Sequence, residues 1–299
     1  MSEIREITEA EFGVGDSSSH SADLRRISEA CDAHDGVSTL NEQACLQLKH
    51  RGLRDARLWL ADGGFAFLHG DLLDLAVHPD ARNRGLGTTL AAAALAQVPG
   101  RVEAWSHGDH PAAAQIAARF GLARERELKV MARNTGAPRP HAPIADATLV
   151  RTFRPEDRDA LLEINRIAFA HHPEQGNLSI EDFEERTREP WFDPNGLFVA
   201  VSAQDPDHEL LGFHWTKVHS DEEPPYGEVY VVAVHPKAAG RGLGKALTNI
   251  GLAHLAEAGM ERVVLYVDGD NEPAIAVYAS QGFNVERTEA QYRGVPARS

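Results

Sequence analysis

Two short, basic, glycine-rich segments carry the clearest chemical signal in this 299-residue chain. Residues 75–87 read LAVHPDARNRGLG, and residues 232–244 read VAVHPKAAGRGLG. Each runs from an apolar, strand-like stretch through an HP turn into Gly-Leu-Gly, with a helix-forming stretch behind it. Such loops suit anions. Glycines let backbone N–H groups approach a phosphate, and the start of the next helix adds its positive dipole. Arg82 and Arg84 in the first segment, and Arg241 in the second, are expected to supplement that attraction. A tight strand-to-helix turn would account equally well for one such loop, but its recurrence argues for an anion site. Neither copy has the GxxxxGK[ST] of a nucleotide-hydrolysing P-loop or the GxGxxG of a dinucleotide fold.

Two other residues have types and positions suited to proton transfer. Glu228 opens the strand that runs into the second loop, so its carboxylate can face the cleft there. An ordinary polar residue on a half-exposed strand fits the position as well. Tyr278 lies seven residues beyond Asn271, where it is either core filling or a buried hydroxyl that wants a partner. No metal site is expected. His107 and His110 share an HxxH spacing, but Pro111 follows at once, and Cys31 and Cys45 form neither a disulfide framework nor a CxxC pair.

The elements that must position these residues occur twice. His78 and His235, like Gly87 and Gly244, are 157 residues apart. Further on, HPAAAQIAARFGL (110–122) and NEPAIAVYASQGF (271–283) repeat a Pro-initiated, Ala-rich helix signal closed by glycine. An offset of one domain length means tandem domains rather than a short-period solenoid. The expected division is a first domain at 1–135, a linker at 136–147 (GAPRPHAPIADA) and a second domain at 148–299. In the second copy, strands are expected at 148–153, about 197–202, 209–217, 228–234 and 263–267. Leu161, Leu162, Ile164, Asn165 and Ala168 mark one helix stripe, and Leu243, Leu247, Ile250, Gly251 and Leu255 another.

Lys+Arg 30 against Asp+Glu 45 leaves a net charge of −15, which argues against nonspecific nucleic-acid binding. No run approaches the ~18 apolar residues of a membrane span, and MSEIREITEAEF has no signal-peptide pattern. A cytoplasmic protein acting as a monomer on a small-molecule substrate is the expectation.

At Arg82-Asn83-Arg84-Gly85-Leu86-Gly87 the chain resembles the R-x-x-G-x-G loop of the GNAT acetyltransferases. Ala239-Gly240-Arg241-Gly242-Leu243-Gly244 matches it without the usual first Arg or Gln. The resemblance implies an α/β fold of two tandem domains, each with a mixed, mostly antiparallel central sheet flanked by helices. It also implies acetyl-CoA as donor, held between two central strands, with one molecule per domain allowed. Coenzyme contacts are implied at Val232, Ala233, Val234, Lys245 and Thr88, at Leu75, Ala76 and Val77, and at Asn271, Glu272, Pro273, Ala274, Ile275 and Ala276. HPEQG (172–176), WFDP (191–194), LLGFHWTKVH (210–219) and GEVYVVAVHP (227–236) are similar to a tandem-domain branch that acetylates the cysteinyl amine of a cysteine–glucosamine–inositol pseudo-disaccharide.

That branch implies Glu228 as general base, acting through water, and Tyr278 as general acid for the departing thiolate. It assigns the acceptor to Glu42, Glu174, Lys217, Glu228 and Tyr266. Aligned on the closing glycine, the first copy has Ala117 where the second has Tyr278, and the constant offset sets Asp71 against Glu228. The first copy therefore reads as a coenzyme-binding or structural copy without turnover. Two other readings compete: a GNAT enzyme for another small amine, and a non-catalytic acetyl-CoA-binding protein.

Overall fold

The computed structural model describes residues 3–13, 18–136, 148–170 and 172–297. The chain forms two compact units, neither of them one continuous stretch. The first comprises Met1–Lys129, Asp268–Asp270 and Arg287–Ser299, and the second Val130–Val267 and Asn271–Glu286. Beyond Gly136, the segment expected to be a linker lies outside the described residues.

The first unit opens with β1 (Arg5–Ile7), α1 (Glu9–Phe12), α2 (Ser19–Asp35) and α3 (Glu42–Leu46). β2 (Ala56–Ala61), β3 (Gly64–His69) and β4 (Leu72–Val77) follow. α4 (Leu86–Leu95), β5 (Val102–Ser106), α5 (Pro111–Arg119) and β6 (Ala123–Asn134) complete the copy, with β6 belonging to the second unit from Val130 onward. β1 to β4 pair antiparallel in chain order, and β5 joins β4 in parallel. β3 shows why the sheet needs cover on both faces. Phe65 and Phe67 cluster with Leu24, Ile27 and Cys31 of α2, while Ala66 and Leu68 cluster with Leu86 and Leu90 of α4. Successive strand residues face opposite ways, so a strand covered on both sides reads as one apolar run.

The second unit repeats the plan. β7 (Thr148–Thr152), α6 (Arg158–Ala168), α7 (Pro173–Gly176) and α8 (Ile180–Thr187) lead into β8 (Leu197–Ser202). β9 (Asp205–His219) and β10 (Tyr226–Val234) form a long hairpin. α9 (Leu243–Glu257), β11 (Arg262–Asp268), α10 (Glu272–Ser280) and β12 (Asn284–Gly294) follow, with β12 belonging to the first unit from Arg287 onward. β7 to β10 are antiparallel, and β11 is parallel to β10. Leu161, Ile164 and Phe183 cover one face against Phe213 and Trp215. Leu252 and Leu255 of α9 cover the other against Val263 and Leu265.

The mixed, mostly antiparallel sheet flanked by helices is as expected, copy for copy. Asn165 is the exception on its stripe. It is fully buried, its Nδ2 donates to the Gln175 carbonyl at 2.6 Å, and its Oδ1 accepts from Gln175 Nε2 at 2.9 Å. These bonds satisfy a buried amide and fix α7 against α6. Among the described residues, no helix is long and apolar enough to cross a membrane.

Candidate active site

The second unit's chemical groups gather around β10. Over Gly227–Val229 this strand pairs with β9 on one side and β11 on the other. Tyr230 is then an extra residue, since Val229 faces Thr216 and Val231 faces Trp215. A bulge of this kind bends its strand and increases the twist. Pairing with β11 ends at Val229↔Leu265. From Val232 to Val234, β10 has parted from β11, which opens a V at the centre of the sheet.

The loop beyond Val234 is set by local chemistry. His235 Nδ1 accepts from the Lys237 N–H at 3.2 Å and turns the chain. Gly240 and Gly242 have φ of 76° and 75°. A Cβ at either would meet nothing within 4 Å, so backbone conformation and not space selects glycine. Gly242 caps α9 with no side-chain hydrogen bond. Leu243, Gly244 and Lys245 therefore present a first helical turn whose N–H donors have no side-chain cap. Arg241 and Lys245 are exposed beside it and have no ion-pair partner among the described residues. This geometry fits a pyrophosphate. On the other side of the V, Asn271 Oδ1 accepts from the Ala274 N–H at 3.2 Å and starts α10 over Glu272 and Pro273. Ala274 and Ile275 pack with Val229 and Val232, while Ala276 is exposed.

The first unit has the same loop with one difference. His78 turns the chain, Gly85 caps α4 at φ 82°, and Asn83 at φ 61° stands where the second copy has Gly240. Arg82 is drawn inward. Its two terminal nitrogens donate to Asp35 at 2.7 and 2.6 Å, and Nε donates to the Val77 carbonyl at 2.9 Å. Arg82 holds the Asp35 carboxyl below its usual range, although partial burial opposes this. Arg84 is exposed with no ion-pair partner among the described residues. Leu86, Gly87 and Thr88 form the first turn of α4. Leu75, Ala76 and Val77 end β4, which among the described residues pairs with β5 at Leu72↔Glu103.

Glu228 is buried at 7% exposure and directly paired with Lys217 of β9 and Val264 of β11. Cross-strand partners share a sheet face, as do residues two apart, so Glu228, Lys217, His219 and Tyr266 all project to one side. His219 Nε2 donates to Glu228 Oε2 at 2.6 Å. The Lys217 ammonium lies 4.5 Å from the Trp191 ring centroid and 5.4 Å from that of Tyr230, a cation–π arrangement. Tyr266 is 40% exposed. Tyr278 packs with Val229, Val232 and Phe283, the cluster on the opposite face. Burial pushes its phenol above the ordinary value, which keeps the proton on at neutral pH.

Glu174 belongs to α7, which Asn165 anchors, but its side chain lies outside the described residues. Glu42 is the first residue of α3 in the first unit, just after the Asn41 cap. α5 and α10 are both nine residues long, with Ala117 and Tyr278 each seventh. Asp71, in contrast, sits exposed in the turn between β3 and β4. A buried acid of the first unit that contacts a histidine on the neighbouring strand is Asp74, whose Oδ2 meets His69 Nε2 at 3.3 Å. Among the described residues no group of three or more His, Cys, Asp or Glu could hold a metal ion.

Sequence reasoning missed His219 and the Tyr230 bulge. The alternation of the quoted stretch LLGFHWTKVH puts His219 on the face of Lys217, which was available as a signal. The bulge lies inside the unbroken apolar run VYVVAV and leaves no such trace.

Comparisons with known proteins give the family and the fold. Residues 52–122 and 159–283 match the acetyltransferase (GNAT) family. A mycothiol acetyltransferase of Nocardioides sp. is 48% identical over 292 residues, covering 92% of this chain and 99% of its own. That of Thermobispora bispora is 46% identical, covering 89% and 93%. Among solved structures, a GCN5-related N-acetyltransferase from Sphaerobacter thermophilus superposes with a TM-score of 0.71 at 22% identity, over 99% of this chain and 96% of that one. A tandem GNAT protein from the clavulanic acid biosynthesis pathway also gives 0.71, at 18% identity and 98% of each chain. At such identities the two structures speak for the fold alone.

Proposed function

The chain belongs to the GNAT acetyltransferases, and within them to the mycothiol acetyltransferases, and we propose that its second unit carries the reaction. It is an acetyl-CoA-dependent N-acetyltransferase of mycothiol biosynthesis. The acceptor we infer is the cysteinyl amine of cysteinyl-glucosaminyl-inositol.

In this reading the coenzyme pyrophosphate rests on Arg241, Gly242, Leu243, Gly244 and Lys245, at the uncapped start of α9. The pantetheine arm runs along Val232–Val234, whose backbone groups face the V. Glu228 takes a proton from the acceptor ammonium, directly or through one water. The freed amine nitrogen attacks the thioester carbonyl carbon, and the addition intermediate sheds a second N–H proton, which is returned to Tyr278 through solvent, as the amide forms. The C–S bond breaks, and Tyr278 gives its proton to the sulfur, releasing CoA. Holding amine and thioester together supplies much of the rate, so no covalent enzyme intermediate is needed. Lys217 and Tyr266 donate to acceptor oxygens from the same face as Glu228, with Glu174 accepting from hydroxyls.

The observation that carries this reading is the course of β10. One strand presents a buried carboxylate, a bulge, an open backbone edge and an anion loop in succession. The first copy, residues 1–135, keeps the loop but has Ala117 in place of the tyrosine, and we read it as coenzyme-binding without turnover. The protein is proposed to act as a cytoplasmic monomer.

The test is CoA release across a panel of amines with the pseudo-disaccharide included. That acceptor should be used far faster than polyamines, aminoglycosides or peptide N-termini. Turnover of an unrelated amine, with none of the pseudo-disaccharide, would overturn the acceptor and spare the fold.

A further inference from the structure

A base that must accept a proton within a narrow geometry needs its carboxylate held, and the register of β9 and β10 supplies the holder. Tyr226 pairs with His219, so His219 stands diagonally from Glu228 on the same face. The contact is short, at 2.6 Å, and shielded, with side-chain exposures of 18% for His219 and 10% for Glu228. The imidazole is itself fixed. It stacks on Tyr226 at 4.3 Å between centroids and 17° between planes, and Arg262 lies 5.7 Å over the far ring. Lys217, the direct cross-strand neighbour, has its ammonium over Trp191 and Tyr230.

We propose that His219 is a positioning residue for acetyl transfer: it binds Glu228 Oε2, fixes the carboxylate rotamer and leaves Oε1 to meet the acceptor amine. Among the described residues, no other hydrogen bond reaches the Glu228 side chain. One oxygen is thus anchored and the other is available, as a base requires. This inference rests on Glu228 being the base.

The first unit contains an independent instance of the same device. Asp74 pairs with Phe67, and His69 pairs with Leu72, so Asp74 and His69 stand in the same diagonal relation on adjacent antiparallel strands. Asp74 is 4% exposed and contacts the imidazole at 3.3 Å. His69 stacks on Phe67 at 5.0 Å, as His219 stacks on Tyr226. That unit has no tyrosine at the Tyr278 position, so its pair serves as an internal control.

The experiment compares steady-state kinetics of His219→Leu, His219→Gln, His69→Leu and Glu228→Gln in the full chain, with thermal melting to follow folding. Misplacing a reacting group by about 1 Å costs up to ~10²-fold, so His219→Leu should lose roughly 10–100-fold in kcat while the acetyl-CoA Kd stays unchanged. Gln places a donor near the position of Nε2, so His219→Gln should recover to within about threefold of wild type. His69→Leu should leave kcat unaltered. In a Glu228→Gln background, adding His219→Leu should cost little more, because coupled groups are not additive. A His219→Leu rate within about twofold of wild type overturns the proposal. So does His219→Gln falling as far as His219→Leu while folded, since ring packing would then be the cause. If His219→Leu does not fold, the Gln variant alone decides by the same threefold limit. Should Glu228→Gln itself keep full activity, the base assignment fails first, and that outcome is distinct from either of these.

Discussion

Gly251 of α9 and His214 of β9 fit one another so closely that neither tolerates a larger partner. A Cβ on Gly251 would overlap His214 Cε1 and Nδ1 and approach Nε2 to 2.9 Å. The ring is completely buried, and its Nδ1 donates to the Leu247 carbonyl at 2.8 Å, so it has no room to yield. The contact holds α9, and the loop at its start, against the central hairpin.

Two effects of Gly251→Ala oppose each other. Removing a mid-helix glycine gains about 1 kcal/mol, while overpacking costs roughly 1–3 kcal/mol, here at the upper end because the ring is trapped. The clash wins, and we expect a net loss of about 1–2 kcal/mol, read as a lower Tm. Pairing Gly251→Ala with His214→Ala should return part of the loss. A Gly251→Ala protein as stable as wild type would show that the ring has another place to go.

His214 also sets a pH dependence. Burial is the main cause of a drop from 6.5 to about 4, the Leu247 hydrogen bond opposes it, and His254 adds to it. Above pH 6.5 the ring is neutral whether the chain is folded or not, and the folded form keeps its full stability. As pH falls toward 4, the unfolded chain binds a proton that the folded one refuses, so stability is lost. At ~1.4 kcal/mol per pH unit, the loss amounts to roughly 3 kcal/mol. Melting curves between pH 4 and 7 should therefore fall more steeply for wild type than for His214→Gln. Parallel curves would remove His214 from the acid response.

The two loops give a contrast between the copies. Gly242→Val forces a β-branched residue to φ 75° at the start of α9, where strain of about 1–3 kcal/mol and a side chain beside the donors both act against phosphate binding. We expect turnover to be lost in the second unit. Gly85→Val, equivalent in the first, should weaken coenzyme binding there and leave substantial turnover. Isothermal titration with acetyl-CoA and CoA-release rates would separate the two, and equal loss of activity from both folded variants would contradict a silent first copy.

Much of this site was legible in the sequence, for identifiable reasons. β8 and β11 follow from compact apolar runs, α9 from its Leu spacing, and the loops from glycines that only a left-handed backbone requires. The counterpart of Glu228 was less legible. A constant offset of 157 residues, anchored at the loop, points to Asp71, but β10 runs for 9 residues up to that loop where β4 runs for 6. One of the added residues is the Tyr230 bulge. Across these insertions the buried acid in the same diagonal relation to a histidine is Asp74. Arg82 was equally hidden, because its partner Asp35 is 47 residues away and only the packing of α2 brings it near.

The central claim is that Glu228 removes the acceptor proton in the second unit, and the rate of CoA release by Glu228→Gln tests it most directly. The substitution keeps the shape and the contact with His219 and removes the basic oxygen pair. With the pseudo-disaccharide as acceptor, kcat/KM should fall ~10²–10⁴-fold, the range for loss of a general base. Acetyl-CoA should still bind as in wild type, because its phosphate contacts lie at the start of α9. A folded Glu228→Gln enzyme with near-wild-type kcat/KM would contradict the account.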